Sequence, residues 1–162
     1  MAATRRRKLV EAGTVAPPFR LPNLSGGETT LEELTASRPV LVAFYKVTCP
    51  VCQLTFPYLE RLHAGGKLSV YAICQNEPED AREFNQEFGV TFPTLLDNEE
   101  TNFDASNAYG ISSVPTAFLI SSGGKIDRVI EGWSKRDMEW LAQQSGVSIF
   151  HPTDRVPELK PG

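Results

Sequence analysis

Two thiols, Cys49 and Cys52, stand three residues apart in the stretch Cys49-Pro50-Val51-Cys52. A thiolate is a nucleophile toward disulfides and a ligand for soft metals. Three residues make about one helical turn, so on a helix the second sulfur reaches the first and closes a disulfide with little backbone movement. A zinc site needs a second pair of ligands. The remaining candidates, Cys74, His63 and His151, do not form one, so no metal is expected. A purely structural disulfide across so short a ring gains little chain entropy. The spacing therefore favours a redox-active pair, with Cys49 as nucleophile and Cys52 as resolving thiol.

What precedes and follows the pair must position it. Val40-Leu41-Val42-Ala43-Phe44-Tyr45 is an apolar, β-branched and aromatic run that reads as a buried strand. After the thiols, Val51, Leu54, Tyr58, Leu59 and Leu62 recur at amphipathic helical spacing, with Pro57 expected to kink the helix and Gly65-Gly66 to stop it. The thiols thus sit where a strand hands over to a helix. The first turn of a helix carries unpaired N–H groups and a partial positive charge, so the Cys49 thiolate is expected to be stabilised there, with a pKa below that of a free thiol. Lys46, three residues earlier, would add to this if its ammonium lay near the sulfur; the competing reading is a stem over apolar surface and a solvated head.

A second apolar run, Leu68 to Cys74, follows the helix. Strand, helix and strand in that order make a parallel βαβ unit with a right-handed crossover, which brings Cys49 and Cys74 to one rim of the sheet. Cys74 is either a small buried hydrophobe or a third thiol that traps or resolves an intermediate at Cys49.

The chain has 162 residues, 22% of them charged, and a net charge of −4. This fits one domain with a substantial core and speaks against a nucleic-acid-binding surface. Three cysteines do not make a disulfide framework, and no run approaches membrane-spanning length. The opening Met-Ala-Ala-Thr-Arg-Arg-Arg-Lys lacks an apolar stretch behind its charges and does not read as a secretory signal. A cytoplasmic location is expected if the chain is complete, and a periplasmic one if a leader was removed. Residues 1–13 are expected to form a flexible basic arm, 14–148 the folded domain, and 149–162 a proline-rich tail that meanders over the surface.

Within the domain, prolines 17, 18 and 22 restrict residues 15–24 to an extended edge segment. Thr30 with Glu33 fits a capping box. A helix is expected from Glu79 to Phe88, an extended piece over Phe92 to Leu96, and a short helix from Phe103 to Tyr109. Thr116 to Ile120 and Ile126 to Glu131 should form a hairpin around Ser121-Ser122-Gly123-Gly124, before a last helix capped by Ser134. His63 and His151 lack local partners that would suggest catalysis, and Trp133 and Trp140 are read as core packing, with substrate-side aromatics as the competing reading.

With these parts in order the chain resembles the thioredoxin superfamily, and within it the TlpA-like thiol–disulfide oxidoreductases of the alkyl hydroperoxide reductase / thiol-specific antioxidant group. The resemblance spans about residues 13–147. It is carried by Ala16-Pro17-Pro18-Phe19-Arg20-Leu21-Pro22, by the strand into Cys49-Pro50-Val51-Cys52, by Pro57, by Gly89-Val90-Thr91-Phe92-Pro93-Thr94-Leu95-Leu96-Asp97 and by Tyr109-Gly110-Ile111-Ser112-Ser113-Val114-Pro115-Thr116. It implies an α/β thioredoxin-like fold: a central mixed β-sheet flanked by helices, an N-terminal extension, and a βα insertion over residues 76–107. It also implies a cis bond before Pro115, which faces the thiols and leaves no N–H aimed at them. The backbone of Val114 would then pair with an extended segment of the partner, with Thr48, Pro50 and Val51 as further partner-facing residues.

The chain departs from the family pattern in three places. Thr48 stands where tryptophan is usual. Ala43 stands in the place of a buried aspartate, and Thr55 in that of a glutamate, so the proton acceptor for Cys52 would be water, Lys46 or a carboxylate such as Glu131. The implied reaction is exchange of the Cys49–Cys52 dithiol with a disulfide- or dithiol-bearing protein, reset by a dithiol reductant and needing no cofactor. Two alternatives are a peroxiredoxin-like antioxidant thiol peroxidase and a non-enzymatic redox-sensing or adaptor module. The first lacks the Pro-x-x-x-Thr-x-x-Cys motif, because Lys46 and Val42 stand at the places counted back from Cys49.

Overall fold

A computed structural model describes residues 8–162 of the protein. The basic run Arg5-Arg6-Arg7 lies outside the described residues. Residues 8–13 of the expected arm are held by main-chain bonds, Val10 N–H to Tyr109 O (3.1 Å) and Gly13 N–H to Ile126 O (2.7 Å).

The architecture grows from β3 (Val40–Tyr45), in which all six side chains are fully buried. A strand covered on both faces reads as an unbroken apolar run. Its alternation sends successive rings to opposite sides. Phe44 meets Tyr109 at 5.2 Å and Phe118 at 5.8 Å, whereas Tyr45 meets Phe56 at 4.3 Å and Phe84 at 4.8 Å. β3 pairs in parallel with β4 (Ser69–Cys74) and antiparallel with β6 (Thr116–Ile120). Adding β5 (Thr94–Leu96) and β7 (Ile126–Glu131) gives a five-stranded mixed sheet in the order β5-β4-β3-β6-β7. β1 (Arg20–Pro22) and β2 (Glu28–Thr30) form a separate hairpin.

The helices fall near the predicted places. Thr30 Oγ1 accepts the Glu33 N–H at the start of α1 (Leu31–Leu34). α2 (Pro50–Ala64) runs through Pro57 without a break and packs on β4. α3 (Pro78–Phe88) and β5 make up the insertion, followed by α4 (Asp104–Tyr109). α5 (Lys135–Ser145) is capped by Ser134, whose Oγ accepts the Asp137 N–H at 3.1 Å. This is the thioredoxin-like arrangement that the resemblance implied. No helix among the described residues is long and apolar enough to cross a membrane.

The segment 149–162 differs from a free surface meander. Arg61 Nη1 on α2 donates to Ile149 O (2.6 Å) and to Asp154 Oδ2 (2.7 Å). Trp133 Nε1 donates to Pro157 O (2.6 Å). β9 (Leu159–Lys160) then pairs antiparallel with β8 (Trp133–Ser134). A two-residue strand offers no periodicity to read, which is why the sequence gives no sign of it.

Two outcomes are expected. The buried Tyr45 hydroxyl has no hydrogen-bond partner among the described residues, and an unpaired buried hydroxyl costs about 1–3 kcal/mol. Tyr45→Phe should therefore leave stability unchanged or raise it by about 1 kcal/mol, measured by urea unfolding. The His151 N–H, and next the Arg61 guanidinium, hold the Asp154 carboxyl down at about 2. A depressed carboxyl stabilises the fold above its ordinary pKa and loses that contribution as pH falls through the folded value. The anchor should thus survive at pH 4 and titrate near pH 2 by carboxyl NMR, with Arg61→Ala moving the titration upward.

Candidate active site

Cys49 is the N-cap of α2, in an extended conformation with φ −82° and ψ 115°. Pro50 takes the first helical position, where its missing N–H costs nothing and its fixed φ suits the helix. The Cys49 sulfur accepts the Cys52 N–H at 3.1 Å, the bond that a serine or aspartate oxygen makes at most helix starts. The Cys49 thiol in turn donates to Val114 O at 3.3 Å. Cys49 is half-buried, whereas Cys52 is 0% exposed. Burial, and next the contact with Cys49, push the Cys52 thiol well above the ordinary thiol range.

The loop before the pair is held by side-chain amides. Gln53 Nε2 donates to Val47 O (3.0 Å), and the Val47 N–H donates to Asn76 Oδ1 (2.9 Å). Asn98 Nδ2 closes the frame on Asn76 O (3.2 Å). Sequence reasoning missed Gln53 and Asn76. The only trace of them is an amide four residues after Cys49 and another just past the end of β4.

Opposite the thiols, the Val114–Pro115 bond is cis. Pro115 O accepts the Gly132 N–H at 2.7 Å, and Thr116 Oγ1 donates to Ser113 O at 2.8 Å. Val114 is 9% exposed and Pro115 is buried. Gly162 lies against this loop, because a Cβ there would overlap the Val114 carbonyl.

The other sequence-predicted residues divide clearly. Thr48 and Pro50 are exposed beside Cys49, and Val51 is buried in the first turn of α2. Lys46 is exposed and meets the site through its backbone, its carbonyl accepting the Cys49 N–H at 3.3 Å. Cys74 reaches the same end of the sheet as Tyr45 but is 0% exposed, and burial pushes its thiol up. Its sulfur accepts the Asn76 N–H at 3.4 Å. Ala43 is fully buried, and Thr55 Oγ1 donates to Val51 O (2.7 Å), so neither supplies a base. Glu131 is exposed at the end of β7, across from Thr116. His151 is exposed, and His63 packs edge-on to Phe92. Trp133 is buried under the 149–162 segment, and Trp140 lies beneath the Arg128 guanidinium at 3.7 Å.

The arrangement is an accessible sulfur at a helix N-cap with a second, sequestered sulfur one turn behind it. Such a pair can form a bond to an outside sulfur through the first and exchange it internally through the second. The chain is similar to known proteins. The AhpC/TSA family profile matches residues 12–129. The thiol–disulfide oxidoreductase ResA of Geobacillus thermodenitrificans is 31% identical over 135 residues, which cover 80% of this chain and 75% of that protein. ResA of Halalkalibacterium halodurans is 32% identical over 136 residues, 82% and 75% of the two chains. A crystal structure described as thiol:disulfide interchange protein DsbE from Chlorobium tepidum superposes with a TM-score of 0.72 at 29% identity, covering 83% of this chain and 95% of that one.

Burial separates the three thiols in a measurable way. With iodoacetamide at pH 8 the reduced protein should lose Cys49 first, by about a hundredfold in rate over Cys52 and Cys74. Cys52 and Cys74 should be labelled rapidly only after denaturation, as read by mass spectrometry of peptides.

Proposed function

The chain belongs to the AhpC/TSA family and is a thiol–disulfide oxidoreductase, and on that premise we propose that its exchange runs through Cys49 and Cys52 as follows. The Cys49 thiolate attacks one sulfur of a disulfide in a partner protein. A Cys49–partner disulfide forms, and the other partner sulfur leaves as a thiolate that takes up a proton. Cys52, once deprotonated, attacks Cys49 Sγ. The Cys49–Cys52 disulfide forms, and the second partner sulfur leaves reduced. Two electrons have passed from the pair to the partner. A dithiol reductant returns them by the same steps in reverse.

The observation that carries this assignment is the asymmetry of the two sulfurs. Cys49 is reachable and receives the Cys52 N–H, while Cys52 has no exposed surface. An outside disulfide therefore meets Cys49 first. The Cys49 thiol proton points to Val114 O before the attack and is given up on ionisation, leaving the Cys52 N–H as the donor that faces the charge.

Val114 gives the partner a place to lie. An extended segment crossing the cis-Pro115 loop would pair with its backbone, and Thr48 and Pro50 would form the opposite wall beside the sulfur. Lys46, exposed at the mouth of the site, would shape the field met by the partner rather than touch the reacting atoms. Cys74 has no path to an outside sulfur and is placed here as a packed thiol. With Ala43 and Thr55 unable to act as bases, the proton acceptor for Cys52 would be water, Lys46 or a carboxylate such as Glu131. The Cys52 thiol, raised by burial, must lose its proton before it attacks.

Cys52→Ser should trap a stable mixed disulfide with a disulfide-bearing peptide, seen as an adduct on Cys49 by non-reducing mass spectrometry. Cys49→Ser should trap none and lose at least about 1,000-fold in turnover, as expected when the nucleophile is removed. A Cys49→Ser protein that still turned over at the parent rate would sink the assignment.

A further inference from the structure

The loop that should receive a partner is already covered, and what covers it is this chain. After its anchor on Arg61 and Asp154, the closing segment runs along β8. Trp133 Nε1 holds Pro157 O at 2.6 Å, and the Lys135 N–H holds Glu158 O at 2.9 Å. β9 then pairs with β8, Lys160 opposite Trp133. The path ends between two backbones that leave no room for a side chain. A Cβ at Gly132 would stand 2.5 Å from Lys160 O and 3.0 Å from Gly162 N. A Cβ at Gly162 would overlap the Val114 carbonyl and stand 3.3 Å from Pro115 N. Gly132 has φ +67°, a conformation that glycine adopts without strain. The backbone of residue 162 is thus wedged between Gly132 and the same Val114 carbonyl that receives the Cys49 thiol.

We propose that residues 158–162 are a displaceable strap that occupies the partner-docking groove beside Val114 and must lift before a protein disulfide can lie across it. This rests on the exchange reaction proposed above and adds a gate to it. The strap is bound in a way that suits displacement. Leu159 is 72% exposed and Glu158, Lys160 and Pro161 are exposed too, so little apolar burial holds it. Its bonds to β8 are main-chain bonds, and an extended peptide from a partner can make the same bonds in its place. The firm anchors, at Asp154 and Trp133, lie upstream and would keep the lifted residues close by. Cys49 itself stays half-exposed with the strap down. A small disulfide that does not use the Val114 edge can therefore reach the sulfur, whereas a peptide disulfide competes with the strap. A docked strap reduces the apparent affinity for the peptide by the fraction of time that the groove is open.

The test compares the parent protein, a form lacking residues 158–162 and the full-length Gly162→Val variant, whose side chain cannot fit against the Val114 carbonyl. Each reduced form is mixed with an extended peptide disulfide and, separately, with hydroxyethyl disulfide, and second-order rates are followed by stopped flow. Far-UV circular dichroism checks that each is folded; Gly162→Val keeps the whole chain if the shortened form is not. The peptide-to-small-disulfide rate ratio should rise about five- to tenfold when the strap is shortened or wedged out. Reduction of both substrates with a ratio within about twofold of the parent, or a lower ratio, would overturn the strap alone. Reduction of neither substrate by any form would overturn the exchange reaction and the strap with it.

Discussion

The structure turns on one sulfur held between two backbone groups. Cys49 Sγ takes the Cys52 N–H and gives its own proton to Val114 O. The donor comes from the helix start and the acceptor from a loop 65 residues further along the chain. A helix start leaves N–H groups without partners, and most helices satisfy one with a side-chain oxygen. Here the cap is the sulfur proposed as the nucleophile. The same hydrogen bond that begins α2 therefore also orients the Cys49 sulfur.

Holding that geometry requires that β3 end at a fixed place. All six residues of β3 pair with β4 and the first five also with β6, so the strand cannot slip by one residue without turning Phe44 and Tyr45 to the wrong faces. The four residues between Tyr45 and Pro50 then have little freedom. Gln53 and Asn76 grip Val47 from either side, and Asn98 grips Asn76. Two of those three amides belong to the 76–107 insertion. Asp97, fully buried beside them, spends its carboxylate on Thr101 and on the Ser106 N–H and hydroxyl. The insertion thus extends the sheet by β5 and also braces the loop that carries the thiols.

Much of this was legible in the residues because it depends on period and on helix-end chemistry. The β3 run, the Cys49 cap with Pro50 behind it, the Ser134 cap and the β6–β7 hairpin all leave local signatures. The amide frame did not, because a glutamine or asparagine that bonds a distant backbone looks in sequence like one that bonds water. The closing segment escaped for a related reason. Its attachments are the Arg61 contacts with Ile149 O and Asp154, main-chain bonds from Lys135 and the strand pair β8–β9, and the Trp133 ring nitrogen, and none of these imposes a period on residues 149–162. Gly132 and Gly162 are meaningful only once each is known to lie across from the other.

The three thiols show how position, rather than residue type, assigns chemistry. Cys52 and Cys74 are equally buried, and burial raises both. What separates them is the element each sits on. Cys52 lies in the first turn of the helix that Cys49 caps, so its own N–H is already bonded to the sulfur it would attack. Cys74 ends a strand. Its sulfur takes the Asn76 N–H and lies in the register of Tyr45, packed where no outside sulfur reaches. A thiol becomes a resolving group when the backbone that carries it also holds the nucleophile in place. Of the two buried sulfurs, Cys52 meets that condition and Cys74 does not.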